Sequence, residues 1–188
     1  MAHCVQRSNR KCGLKPLGWS RLPRKGLSFR NALAECPIAG CTMLMNRAAR
    51  QVLIQTVPEH VWAHDWWIYV VVSALGTASF DPESRVLYRQ HRSKVVWIRI
   101  SALRRLRYKL RRFLRIGSSQ LVLRQAEEFL RLCGPALSSD YRSILDGLVE
   151  TGRRPFWSRL AYACAGKVYR QSAFDQLVLK ALISLRRL

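Results

Sequence analysis

The stretch AHDWWIYVVVSALG, residues 63–76, decides how the rest of the chain is read. A His and an Asp stand ahead of two tryptophans and an apolar run. Read as a helix, the segment 66–75 has Asp65 at its N-cap and Gly76 just past its end. Its Val content keeps a buried strand as the rival reading. Asp65 is one of only eleven Asp and Glu residues, against thirty-three Lys and Arg. A chain so poor in carboxylates sets one of them at the edge of its most apolar segment.

On either side of that stretch the pattern alternates. CPIAGCTMLMN, residues 36–46, is short and apolar, and its Ile and Thr suit a buried strand. Asn46 is placed to cap a helix, RAARQVLIQT, that ends before Pro58. Downstream, TASF and RVLYRQ read as two short strands around the turn DPES. Strand, helix, loop, helix and strand in succession are an α/β signature.

From about Val95 the character changes. VVWIRISALRRLRYKLRRFLRI places Leu103, Leu106, Leu110, Phe113 and Leu114 at helical spacing, with eight basic residues between Arg99 and Arg115. Four more helical segments follow, punctuated by Gly134, Pro135 and Pro155. Residues 1–30 are basic and broken by Gly13, Pro16, Gly18, Pro23 and Gly26, which reads as loop. The expected organisation is a basic irregular lead-in (1–30), an α/β segment (31–96) and a basic helical region (97–188).

The totals set outer bounds. The 188 residues suit one ordinary domain, and 49% hydrophobic content is enough to bury a core. A net charge of +22 points to a polyanionic partner without choosing one. The six cysteines form no C-x-x-C pair, which argues for a reducing compartment over a disulfide framework or a zinc knuckle. No signal-peptide pattern is visible at the start, and the longest apolar run is far below the ~20 residues of a membrane span. These features predict a cytoplasmic protein, with peripheral association at the inner face of the cell membrane as an option.

Three elements in order carry a resemblance: AGCTMLMNRAAR (39–50), HDWW (64–67) and FDPESRVLYRQH (80–91). Together they resemble the second half of the catalytic domain of bacterial family-2 glycosyltransferases, the rhamnosyltransferase-like group especially. LSFRNALAE (27–35) is similar to that family's connecting segment. The likeness covers roughly residues 14–96. It implies a partial GT-A-type, Rossmann-like α/β core followed by the helical region.

The resemblance also implies roles. An acceptor hydroxyl attacks the anomeric carbon of a nucleotide-diphosphate sugar, and a carboxylate takes its proton. Asp65 matches that base; the local alternative is a plain N-cap. Trp66 and Trp67 would wall the site or stack on a sugar, with core packing expected of at least one of them. Arg89 would pair with phosphate, and His91 would approach a metal or a phosphate oxygen; alternatively both merely end an exposed strand. Gly40 and Thr42 would face the site, Gly40 admitting close backbone approach or simply permitting packing. After His91 the chain departs from the family, reading Arg92 and Lys94 where a small residue and an Asn are usual.

The family's nucleotide-binding half, whose D-x-D motif holds Mg or Mn on the sugar diphosphate, has no counterpart here. Only Glu35 and Glu59 precede Asp65 among the acids. The expectation is a truncated chain, the acceptor-side half of an enzyme acting on a saccharide or lipid-linked acceptor, and inactive alone. The basic segment suggests an anionic membrane surface met by Arg104, Arg105, Arg107, Lys109, Arg111, Arg112 and Arg115, or else a merely solvated face. Two rivals stand beside this reading: a nucleic-acid-binding module, which lacks any recognised signature, and an inactive remnant.

Overall fold

The structure, a computed structural model, describes residues 22–83 and 121–188. Their order is α1 (Phe29–Ala32), a 3-10 turn (Gly40–Thr42), α2 (Arg47–Gln55) and α3 (His64–Leu75). Then come α4 (Leu121–Cys133), a second 3-10 turn (Gly134–Ala136), α5 (Ser139–Glu150), α6 (Phe156–Cys164) and α7 (Ala173–Ser184). None of these helices is long and apolar enough to cross a membrane.

The expected α/β core of GT-A type is not what these residues form: no strand occurs among them. The reason lies in where the backbone groups go. A strand needs a neighbour to complete its ladder. Residues 36–46 satisfy themselves locally instead. Thr42 N–H and Oγ1 both donate to the Ala39 carbonyl, at 2.9 and 2.7 Å, and Met43 N–H donates to Gly40. Pro37 also lacks a donor for any ladder. TASF (77–80) runs without regular structure, and the second expected strand, RVLYRQ, lies outside the described residues apart from the turn before it.

The helices follow their sequence signals more closely. Asn46 caps α2, its side-chain oxygen accepting the Ala49 N–H at 2.9 Å. The Val-rich run is a helix, and it begins two residues earlier than Trp66. Trp67, Tyr69, Val70, Val71, Val72 and Ser73 are all buried, so α3 is wrapped by its neighbours on most sides. Twelve residues suit a helix better than a strand. Ser28 and Ser138 cap α1 and α5 with side-chain oxygens.

A chain of rings joins both described stretches in one core. Tyr141 lies 4.7 Å from Phe29, Phe29 lies 5.5 Å from Phe129, and Trp67 meets Phe129 edge-on at 5.8 Å. This ties α1 and α3 to α4 and α5. Cys133 sits in the same core, where burial pushes its thiol up to about 11 and so keeps it out of the reactive thiolate form.

Behind the rings lies a polar knot around Asn31, whose side chain is fully buried. Its oxygen accepts from the Tyr69 hydroxyl (3.0 Å) and from Gln171 Nε2 (3.2 Å). Its nitrogen donates to Glu35 Oε1 (3.1 Å) and to the Tyr169 carbonyl (3.0 Å). Every hydrogen-bonding position of the amide is used. Around it, Ser28 Oγ and Tyr169 Oη are 2.8 Å apart, Gln171 Nε2 donates to the Gly26 carbonyl, and Arg170 Nε donates to the Ala34 carbonyl. The loop between α6 and α7 is thereby stitched to residues 26–35.

Replacing Asn31 by Leu should cost about 2–4 kcal/mol, because it strands the Tyr169 carbonyl and loosens Gln171 and Glu35 together. A urea titration with an unchanged slope measures this; a loss below ~1 kcal/mol would show that the knot is dispensable. Gly147, inside α5, gives a second expectation. A Cβ there would fall 2.8 Å from Tyr162 Cε2. The Tyr162 ring is buried and its hydroxyl donates to the Ile144 carbonyl at 2.9 Å, so it has little room to move. Helix propensity favours Ala by ~1 kcal/mol, while overpacking costs ~1–3. Gly147→Ala should therefore destabilise by about 1 kcal/mol, and the same change should become stabilising in a Tyr162→Ala background.

Candidate functional site

Two segments far apart in sequence meet at the start of α3. The first 3-10 turn packs against the helix N-terminus, and Gly40 N–H donates to Asp65 Oδ2 at 3.3 Å across a separation of 25 residues. Asp65 Oδ1 accepts the Trp66 N–H at 2.8 Å. Asp65 is half-buried and His64 is exposed. Asp65 is not the N-cap that its sequence position suggests. The cap is Ala63, which offers no side chain, and Asp65 is the second helical residue. Each carboxylate oxygen is held by one backbone donor and keeps further lone-pair capacity. The group is thus oriented, with room to accept a proton or a hydroxyl hydrogen bond.

The close approach depends on Gly40. A Cβ on that residue would lie 2.6 Å from His64 Nε2 and 3.3 Å from Asp65 Cβ. The other expected site residues are placed differently. Thr42 is buried, with its hydroxyl turned back onto Ala39. Trp67 is a core residue whose indole N–H donates to the Thr56 carbonyl at 2.9 Å. Trp66 is partly buried and donates to the Ala32 carbonyl at 2.6 Å. Both indoles fasten α3 to its neighbours. Arg89, His91 and the series Arg104, Arg105, Arg107, Lys109, Arg111, Arg112 and Arg115 lie outside the described residues.

The exposed aromatic at this end of α3 is Trp62, preceded by the exposed His60. Sequence reasoning passed over it in favour of the WW pair. One signal was present: PEHVWAH has no helical or alternating pattern, so nothing there asks for a core tryptophan. The segment is anchored from α4. Glu128 Oε1 accepts the Glu59 N–H at 2.8 Å, and Arg131 bridges Glu128 and Glu59 at 2.7 and 3.3 Å. Hydrogen bonding from Arg131 holds the Glu128 carboxyl below the usual glutamate range.

Among the described residues no three His, Cys, Asp or Glu side chains gather as metal ligands. The two backbone donors on Asp65 make a cradle for orienting the carboxylate, and no cluster of acids beside it fits the divalent metal that the resemblance implies. No step below is routed through a metal. No family model matches the chain, and no curated protein or solved structure matches it either.

Gly40→Ala tests the junction. The exposed His64 ring can swing aside, but the Asp65 Cβ, fixed to the helix, cannot. The expected cost is about 1 kcal/mol in thermal or urea unfolding, with a large change in the His64 ring resonances. In a His64→Ala background most of that cost should remain, because the contact with the Asp65 Cβ is unchanged.

Proposed function

We propose that the chain supplies the acceptor-side base of an inverting sugar transfer from a nucleotide-diphosphate sugar to a saccharide or lipid-linked acceptor. The observation that supports this reading is the Gly40–Asp65 contact. It brings the two motif elements 39–50 and 64–67 to one place, as they must be if both face one acceptor. In the transfer, the acceptor oxygen forms its bond to the anomeric carbon while the bond to the diphosphate breaks. The nucleoside diphosphate leaves with the electron pair, and the hydroxyl proton passes to the Asp65 carboxylate. Trp62, an exposed aromatic three residues before Asp65, would be the side chain to stack on a sugar ring.

The charge distribution favours a second, compatible role. All eleven acids fall within the described residues, which carry sixteen Lys and Arg. The other seventeen Lys and Arg lie in segments 1–21 and 84–120, which contain no acid at all. Such segments attract polyanions, whether nucleic acid or an anionic membrane, with an affinity that falls as salt rises.

The chain alone should turn over no nucleotide-sugar. It should still bind an acceptor saccharide weakly, at millimolar strength, ~4 kcal/mol. In an NMR titration with candidate saccharides, the Gly40, His64 and Trp66 amides should shift, and Asp65→Ala should weaken binding at least about fivefold. Shifts confined to other regions, or an Asp65→Ala variant that binds unchanged, would sink the assignment.

A further inference from the structure

The helix pair α6–α7 is apolar on its outer positions as well as its inner ones. The exposed residues of α6 beyond its first are Trp157, Ala161 and Cys164, at helical spacing. Along α7 the exposed positions include Phe174, Leu177 and Ala181, and Leu185 continues the row just past its end. No exposed residue of either helix is polar. The polar residues Ser158, Arg159, Asp175, Gln176 and Lys180 are half-buried. Trp157 is 75% exposed and Leu177 66%, with Phe156 set edge-on against Trp157 at 5.2 Å. An outward face of this kind marks an interaction surface.

Charge narrows the partner. Residues 151–188 contain eight Lys and Arg and one acid, Asp175. Arg153 and Arg154 lead into α6, and Arg186 and Arg187 follow α7. Glu150 is ion-paired to Arg154, and no ion pair is formed by Arg153 or Lys167 among the described residues. A second copy on this face would bring two like-charged rims together. Nucleic acid would suit the arginines and could stack a base on Trp157, yet the aliphatic remainder of the face, Ala161, Leu177, Ala181 and Leu185, gives its bases and sugars nothing to stack on or hydrogen-bond. An anionic bilayer surface matches both features, with its acyl boundary taking the apolar side chains and its headgroups the arginines.

We propose that α6–α7 is a membrane-docking element that lies flat on anionic lipid with Trp157 and Leu177 inserted. The proposal rests on residues 151–188 alone and is independent of the sugar-transfer reading.

Vesicle flotation of the full chain tests it, using mixed phosphatidylcholine–phosphatidylglycerol vesicles and phosphatidylcholine alone. High salt removes the charge part of the binding, whereas apolar insertion should survive; because residues 99–115 carry apolar side chains of their own, the substitutions on α6–α7 assign the salt-resistant part to this face. The native chain should float with the mixed vesicles in high salt. Trp157→Ser with Leu177→Ser should lower that salt-resistant partitioning about tenfold or more at unchanged helical circular dichroism. Leu177→Gln alone, the milder variant, should lower it severalfold. Three results would overturn the proposal: no salt-resistant binding by the native chain, salt-resistant binding that ignores these substitutions, or substitutions that instead abolish a dimer or oligonucleotide binding while vesicle binding persists.

Discussion

The buried amide of Asn31 is the constraint on which the described residues depend. A primary amide in a core is tolerable only when its oxygen and both N–H groups are matched, because each unmatched group costs on the order of 1–3 kcal/mol. Asn31 meets that demand with partners from three places: Tyr69 in α3, Glu35 after α1, and Tyr169 and Gln171 between α6 and α7. Separations of up to 140 residues are closed by this one side chain. Apolar burial alone would hold the same elements together, but loosely in register. The amide fixes register, since a shift of one residue at any partner leaves a buried donor or acceptor bare. Tyr69 shows how dry the knot is, its hydroxyl driven well above the ordinary tyrosine range by burial.

That fixed register determines how Asp65 is presented. The α1 segment, locked by Asn31, offers the Ala32 carbonyl to Trp66, and the loop after α2 offers the Thr56 carbonyl to Trp67. Two indole N–H groups on successive residues therefore anchor the first turn of α3 from different directions. Asp65 has no freedom to roll with the helix, and Gly40 closes on it from the remaining side. Trp66 and Trp67 brace the start of α3 from behind, as struts.

How much of this was legible in the sequence follows from whether each element is determined locally. Asn46 and its helix were legible because a cap and a periodic face are short-range features. The helices from α4 to α7 were legible for the same reason. The strands were not, because an apolar stretch such as CPIAGCTMLMN is compatible with a ladder, and only a partner strand makes it one. Thr42, read as facing the site, uses its hydroxyl to close a 3-10 turn that substitutes for the ladder. Asn31 was illegible: in LSFRNALAE nothing marks a polar residue as the most connected side chain of the core. Apart from Glu35, four residues on, its partners lie too far along the chain for any spacing rule to find them. The meeting of Gly40 with Asp65 came only from the order of motifs, not from spacing or composition.

The α6–α7 pair shows where periodicity misleads even when it finds the helix. Its segments carry apolar residues at helical spacing, and the ordinary inference puts an apolar stripe inward. Here the inward positions are already supplied by Tyr162, Ala163, Leu179 and Ile183, and the loop between the helices is held by the Asn31 knot. The pair therefore cannot rotate to bury Trp157 and Leu177 without tearing Tyr169 and Gln171 from their partners. The polar knot, which gives the core its register, also forces an apolar face into solvent. A chain with thirty-three basic residues and eleven acids has little to fear from self-association through such a face, since like charge keeps copies apart. The same charge that protects the face in solution draws it to an anionic surface.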